Sequence, residues 1–228
     1  MNTTGQAMNT RPIDGLPAIK PPQAPEGRLT EWLLRGFALL VLAFIVARWG
    51  HAWMVAPARW TALLLLVSES YTLVLVLVAR RASQRDLSPP ALAATIYATF
   101  FAVVLQPQGT THLVSEWAGA GLQLASMAWQ FTAKVFLGRS FGLLPAQRGI
   151  VTAGPYRIVR HPIYFGYLIG HVGFLLANFN WRNTAVLTLL YVAQVIRIRR
   201  EEAILAATDA GYRAYQQRVR WHLLPLVY

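Results

Sequence analysis

The stretch Gly154 to Leu168, GPYRIVRHPIYFGYL, sets a turn dipeptide, three arginine or histidine side chains and three tyrosines against the start of an apolar run. About thirty residues on, a second apolar run ends in Arg197-Ile198-Arg199-Arg200-Glu201-Glu202, which holds the only adjacent carboxylates of the chain. Pro162 suits the first turn of a helix, where its missing N–H costs nothing. It leaves His161 at the cap, biased toward extended backbone. A helix start offers unpaired N–H groups and a positive dipole end, suited to a carboxylate or phosphate. Tyr164, three residues on, shares the face of His161. Alone, His-Pro marks only a helix boundary. Gln194, Arg197 and Glu201 follow spacings of three and four and share one helical face. An isolated Arg–Glu pair at a helix end usually anchors to the interface, and Arg199 and Arg200 read that way. Polar groups at membrane depth usually face a cavity or a partner, which favours function for the Gln194, Arg197 and Glu201 stripe. Glu69, between Ser68 and Ser70, falls under the same rule and either lines a substrate cavity or pairs with a neighbouring helix. Two polar clusters converging at one membrane face suggest a site for a charged cofactor.

The elements that must position these groups are membrane helices. The chain is 55% hydrophobic and 13% charged, with a mean hydropathy of +0.39, whereas a soluble domain carries roughly a quarter charged residues. Several apolar runs approach the roughly 20 residues that cross a bilayer as helix. The net charge of +12 is not read as nucleic-acid binding, because the basic residues cluster in the gaps between apolar runs. With no cysteine in the chain, disulfides, thiolate ligands and a cysteine nucleophile are excluded. The five histidines are dispersed without metal-ligand spacing, so no metal is expected. Residues 1–28, with five prolines among polar residues, read as a disordered cytoplasmic tail without the apolar core of a signal peptide.

Spans are expected near 32–49, 60–79, 91–106, 113–137, 162–178 and 183–199. They form an all-α integral membrane bundle divided into N-terminal helices (29–136) and a C-terminal region (137–228). Pro89 and Pro90 introduce the third helix. The gap Gln106 to His112 lacks Lys and Arg and should face outward. The gap holding Arg139, Arg148, Arg157 and Arg160 should face the cytoplasm, which places both termini inside. Arg48 and Arg59 in the first external loop fit this alternation less well. Asn178 to Asn183 suits a tight turn with an interfacial Trp181, predicting an antiparallel helical hairpin. Gly166, Gly170 and Gly173 lie at helical spacing, most simply for close helix packing. Gly119-Ala120-Gly121 falls inside a predicted helix and is no dinucleotide fingerprint.

The ordered set Gly138-Arg139-Ser140, Leu143-Leu144-Pro145, Ile150-Val151-Thr152, Gly154-Pro155-Tyr156, Arg160-His161-Pro162-Ile163-Tyr164 and Glu201-Glu202 ends in Gly211-Tyr212-Arg213-Ala214-Tyr215 and Leu224-Pro225. It resembles the catalytic region of the isoprenylcysteine carboxyl methyltransferase family and its phospholipid N-methyltransferase relatives, over about a third of the chain. The resemblance implies a helical membrane enzyme using S-adenosylmethionine. It implies that Arg148, Gly149, Ile150, Val151 and Tyr156 shape the cofactor pocket and that His161, Pro162 and Tyr164 contact the cofactor. Glu201, and with it Glu202, would close the pocket, while Arg197 falls where the family places a substrate-associated arginine. The segment from Glu202 to Tyr212 is one residue shorter than the family's usual spacing, so the choice between Glu201 and Glu202 stays open.

The reaction expected is methyl transfer to a lipophilic or prenylated acceptor drawn from the lipid bilayer, with the protein supplying orientation and exclusion of water. Arg197 and Glu201 are the expected catalytic pair, and Arg197 and Glu69 the substrate contacts. An arginine assists an anionic oxygen more than a neutral amine, which favours a carboxylate acceptor. The alternatives are a lipid-amine N-methyltransferase, a sterol-type reductase of a related membrane fold, and a non-catalytic membrane protein. A transporter should show paired repeats with broken helices, and none is visible. The expected location is a prokaryotic inner membrane, with the site at its cytoplasmic face.

Overall fold

The computed structural model describes residues 28–78, 84–85, 88–137, 146–147 and 150–228. Within them lie α1 (Arg28–Val55), α2 (Trp60–Val78), β1 (Gln84–Arg85), α3 (Pro89–Val104), α4 (Glu116–Leu137), β2 (Ala146–Gln147), α5 (Pro162–Ala177), α6 (Trp181–Thr208) and α7 (Ala210–Arg218). A 3-10 turn, Gly154–Arg157, precedes α5. The described residues are helical apart from loops, the antiparallel β1–β2 ladder of two residues a strand and an isolated Thr111–Phe179 bridge. Residues 1–27 of the expected tail lie outside the described residues, and Arg28 opens α1.

Local chemistry sets the helix ends. α3 and α5 begin at prolines, behind Ser88 and His161, where the ring presets φ and removes an N–H that lacks an intrahelical partner anyway. α6 begins at Asn180, whose side chain accepts from the Asn183 N–H at 2.7 Å, and α7 at Asp209, which accepts from Gly211 N–H at 2.8 Å. Each cap meets one of the donors a helix start leaves open. α6 has 28 residues, or about 42 Å at 1.5 Å per residue. It outruns the expected span end at 199 and carries Glu201 and Glu202 beyond the apolar segment.

The helices pack chiefly as α4 on α5, α1 on α2 and α3 on α6, with α2 on α4 and α1 on α3 tying the pairs together. Small residues allow the closest of these contacts. A Cβ at Gly173 would stand 2.8 Å from the Gly119 carbonyl oxygen, and one at Gly166 would stand 2.3 Å from Gln130 Cγ. The glycine stripe therefore joins α5 to α4, and packing rather than ligand binding accounts for it. Trp49 and Phe174 meet edge to face at 5.6 Å in the core beside Leu42, Ile45 and Leu190.

Two expectations change. The hairpin arms α5 and α6 turn tightly at Asn178–Asn180 but do not pack along their length; α5 spends its small-residue face on α4, and α6 lies on α3. The arginines that fitted the charge alternation poorly have structural partners. Arg48 donates to the Ala102 and Leu105 carbonyls at 3.2 and 2.8 Å, at the end of α3, and Arg59 donates to Asn178 Oδ1 at 3.2 Å. A guanidinium at a helix C-terminus satisfies open carbonyls and complements the dipole.

Among the described residues one helix, Arg35–Val55, is long and apolar enough to cross a membrane; Trp60–Leu75, Pro89–Val104 and Pro162–Ala177 are apolar but shorter. Large apolar side chains face outward on α1, α4 and α6, including Leu40, Phe44, Phe131, Leu189 and Val192. At the end opposite the carboxylates, a polar network closes the bundle. Glu116 accepts from the Thr61 N–H and hydroxyl at 2.7 and 2.6 Å. Asn183 exchanges amide bonds with the Gln106 backbone at 2.9 and 3.1 Å.

Candidate functional site

One cavity collects most of the chemistry-bearing residues. The start of α5 supplies His161, Pro162 and Tyr164, the C-terminal half of α6 supplies Gln194, Arg197 and Glu201, and the segment before α5 supplies Ile150, Val151 and Tyr156. Glu69 and Thr72 of α2, Tyr167 and His171 of α5, and Tyr212 and Tyr215 of α7 line it too. The two expected pocket residues Arg148 and Gly149 lie outside the described residues.

Helical periodicity builds the two facing walls. On α5, His161 and Tyr164 stack with ring centres 5.6 Å apart and planes 26° apart. On α6, the buried Arg197 donates from Nη1 to Gln194 Oε1 at 3.1 Å, and its guanidinium carbon stands 5.4 Å from the Tyr164 ring centre. Tyr164 also reaches across to Glu201, hydroxyl to Oε2, at 3.5 Å. The aromatic face between a guanidinium and a carboxylate can sit against a cation through its π electrons.

Adjacent carboxylates have different fates, because one residue along a helix rotates the side chain by about 100°. Glu201 lines the cavity, whereas Glu202 does not. Glu202 is buried and takes Arg160 on both oxygens, Nε to Oε1 at 2.7 Å and Nη2 to Oε2 at 3.1 Å. His161 Nε2 joins at Oε1, 3.0 Å away, and Gln216 donates to Oε2 at 3.3 Å. Glu202 thus stands outside the cavity lining, engaged by Arg160 and His161, while Glu201 faces the cavity. Burial pushes the Glu202 carboxyl up, but hydrogen bonds from His161 and Arg160 outweigh it and bring it down to about 2.

The same arginine holds the C-terminal segment. Arg160 Nη1 donates to the Val219 and Arg220 carbonyls at 2.7 and 3.0 Å. The backbone N–H groups of Arg160 and His161 donate to the Trp221 and His222 carbonyls, each at 2.9 Å. Arg160 Nη2 also donates to His222 Nδ1 at 3.0 Å, so the ring proton lies on Nε2, which stands 3.3 Å from Glu202 Oε2. Burial lowers the His222 pKa, with Arg160 and His161 adding to the effect against Glu202. Tyr215 donates to the Tyr156 carbonyl at 2.7 Å, fastening α7 to the turn. That turn needs glycine: Gly154 has φ of +60°, and a Cβ there would stand 2.7 Å from the Phe136 ring. Burial raises the pKa of Tyr156, Tyr212 and Tyr215, keeping all three as protonated donors.

Sequence reasoning missed Tyr167, His171, Lys134 and the part played by Arg160. Tyr167 and His171 continue the His161–Tyr164 face at spacings of three and four, so periodicity could have found them. Lys134 is buried on α4, its Nζ 4.9 and 5.0 Å from the Tyr71 and Tyr167 ring centres, and its charge acts on Glu69. A lysine in the last turn of a helix carries no signal that separates this from an interfacial anchor. No group of three metal-ligating side chains occurs among the described residues.

Residues 113–208, from just before α4 to the end of α6, match the family model described as phospholipid methyltransferase, a family of membrane methyltransferases. The comparison with curated proteins finds no match. The matched segment contains both walls of the cavity and supports a membrane methyltransferase that uses S-adenosylmethionine.

Proposed function

We propose that the protein methylates a carboxylate of a lipophilic acceptor drawn from the bilayer, in the manner of isoprenylcysteine carboxyl methyltransferases. The observation that carries this reading is the placement of Arg197 and Glu201 one helical turn apart in the same cavity as the His161–Tyr164 face. The cavity suits a zwitterionic sulfonium cofactor. Glu201 offers an anion to its ammonium group, Tyr164 and Tyr156 offer aromatic faces to cationic sulfur, and Ile150, Val151 and Leu205 offer an apolar wall to a base. Arg148 and Gly149 join this set by resemblance alone. When bound, S-adenosylmethionine would supply an electrophilic methyl, to which an acceptor carboxylate oxygen bonds as the carbon–sulfur bond breaks, giving an ester and a neutral sulfide without proton transfer.

The chain's own contribution is orientation and desolvation. Arg197 presents a planar fork that fits a carboxylate and can hold one oxygen while the other stays in line. Opposite charges neutralise along this reaction, so a cavity walled by tyrosines and aliphatic residues favours it over water. Glu69, which lines the cavity from α2, offers a second polar contact for the rest of the acceptor's head. We further propose six spans with both termini cytoplasmic, in a prokaryotic inner membrane.

A second reading, methylation of a lipid amine, is favoured by the description of the matching family and by Glu69, whose carboxylate can take the proton an ammonium must lose. Purified protein in detergent with methyl-labelled S-adenosylmethionine separates the two. We expect label in a prenylated carboxylate as a base-labile ester; label only in phosphatidylethanolamine would establish the amine reading instead.

A further inference from the structure

The end of the bundle opposite Glu201 gathers positive charge that methyl transfer does not use. Arg48 of α1 reaches the C-terminal end of α3, Nη1 to the Ala102 carbonyl at 3.2 Å and Nη2 to the Leu105 carbonyl at 2.8 Å. The next residue, Gln106, exchanges backbone bonds with the Asn183 side chain, and Arg182 precedes Asn183 in the first turn of α6. Two guanidiniums from different helices therefore flank one helix end, near enough for the Arg182 charge to act on Arg48. Arg48 is half-buried and Arg182 exposed. Arg182 makes no hydrogen bond or ion pair among the described residues. Glu116, the one carboxylate at this end among the described residues, is taken up by the Thr61 N–H and hydroxyl. Like charges held side by side at low dielectric repel, and an anion between them relieves that repulsion.

The surroundings say what kind of anion. α3 has 16 residues, about 24 Å at 1.5 Å per residue, short of the roughly 30 Å of hydrocarbon in a bilayer. It ends at Val104, whereas α1 runs on past Arg48 to Val55, so the end of α3 is a step beside the longer helix. Ile96, Phe100 and Val104 fall four apart on one face of α3. Ile96 and Val104 are exposed, and the exposed Phe37 of α1 meets Phe100 edge-on at 5.6 Å. This apolar stripe runs up to the carbonyls that Arg48 holds. Trp60, Trp117 and Trp181 are exposed at the same end, the position of an aromatic belt at headgroup level. A guanidinium has five N–H donors, and the α3 carbonyls take two of those of Arg48. The rest, with all of Arg182, suit the oxygens of a phosphate.

We propose that the C-terminal end of α3 seats an anionic phospholipid, its phosphate between Arg48 and Arg182 and an acyl chain along the Ile96, Phe100 and Val104 face. A zwitterionic headgroup brings a cation of its own to a place that already holds two, so a net negative headgroup is the one selected. Neither arginine lines the cavity. The site therefore stands apart from methyl transfer, and the lipid there is a bound partner rather than an acceptor. It also gives Arg48, which fits the charge alternation poorly, an anion to face besides the carbonyls of α3.

Native mass spectrometry of the full chain in detergent tests it, with dioleoylphosphatidylglycerol, dioleoylphosphatidylcholine and inorganic phosphate as probes. Wild type should hold the phosphatidylglycerol about tenfold more tightly than the phosphatidylcholine, the scale of one charge-assisted hydrogen bond. Arg182→Ala removes a side chain with no protein bond to lose, so the variant should fold as wild type does and bind the two lipids about equally. Arg218→Ala, which removes one exposed charge from α7, should keep the wild-type preference. Inorganic phosphate at the same concentration should not displace the lipid. Equal binding of the two lipids by wild type, or a preference that survives Arg182→Ala, overturns the assignment. So does an equal loss in Arg218→Ala, which would reduce the effect to overall charge. Displacement by inorganic phosphate at equal concentration would identify a site for a soluble anion and overturn the lipid assignment.

Discussion

Arg160 and Glu202 form a two-pronged ion pair, 2.7 Å at Nε–Oε1 and 3.1 Å at Nη2–Oε2, that locks the start of α5 to the C-terminal part of α6. His161, Gln216 and His222 complete the carboxylate's shell, so three parts of the chain distant in sequence depend on one side chain. Removing one partner of a buried pair strands the other charge, at a cost of about 3–5 kcal/mol. Glu202→Ala should therefore unfold at markedly lower temperature in detergent. Glu201→Ala, next to it in sequence but facing the cavity, should unfold near the wild-type temperature.

The same carboxylate sets an acid limit. Its pKa falls from an ordinary 4.5 to about 2 on folding, so the folded state holds fewer protons there than the unfolded one. The stabilisation is complete above about pH 4.5 and drains away as pH falls toward 2. Chemical unfolding of wild type should show that decline across the interval. Glu202→Gln, which has no carboxylate to protonate, should be less stable at neutral pH and flatter through the same range.

Replacing glycines should separate packed from open positions. A methyl at Gly173 meets the Gly119 backbone oxygen at 2.8 Å and one at Gly166 meets the buried Gln130 Cγ at 2.3 Å, whereas one at Gly121 meets nothing within 4 Å. Overpacking costs about 1–3 kcal/mol. Thermal scans should show Gly173→Ala and Gly166→Ala clearly destabilised and Gly121→Ala close to wild type.

Arg197 offers a test of acceptor chemistry. Arg197→Lys keeps the charge and loses the planar fork. Turnover on a prenylated carboxylate should fall by about tenfold or more, the scale of one charge-assisted hydrogen bond, while S-adenosylhomocysteine affinity stays within a few-fold. A lysine that substitutes without loss would assign Arg197 to anchoring the helix.

Much of the cavity was legible because helical spacing is a strong local signal. Pro162 dates the start of α5, and the spacings of Gln194, Arg197 and Glu201 place them on one face before any contact is known. The split between Glu201 and Glu202 was not legible. Both carboxylates sit at the same helix end, and only the packing of α7 and the C-terminal segment against one side of α6 distinguishes them. The parting of α5 from α6 was hidden for a different reason. Both helices are apolar on more than one face, so hydropathy cannot say which face takes which neighbour. Arg160 reads as one more cytoplasmic arginine until the carbonyls of Val219 and Arg220 come into reach.

The central claim is that this cavity binds S-adenosylmethionine through Glu201, and calorimetry with S-adenosylhomocysteine on purified protein tests it most directly. The account predicts one-to-one binding by wild type, at least a tenfold weaker affinity for folded Glu201→Ala, consistent with the loss of one charged contact, and no binding of nicotinamide nucleotides. Wild type that binds no S-adenosylhomocysteine, or Glu201→Ala that binds it as tightly as wild type, would contradict it.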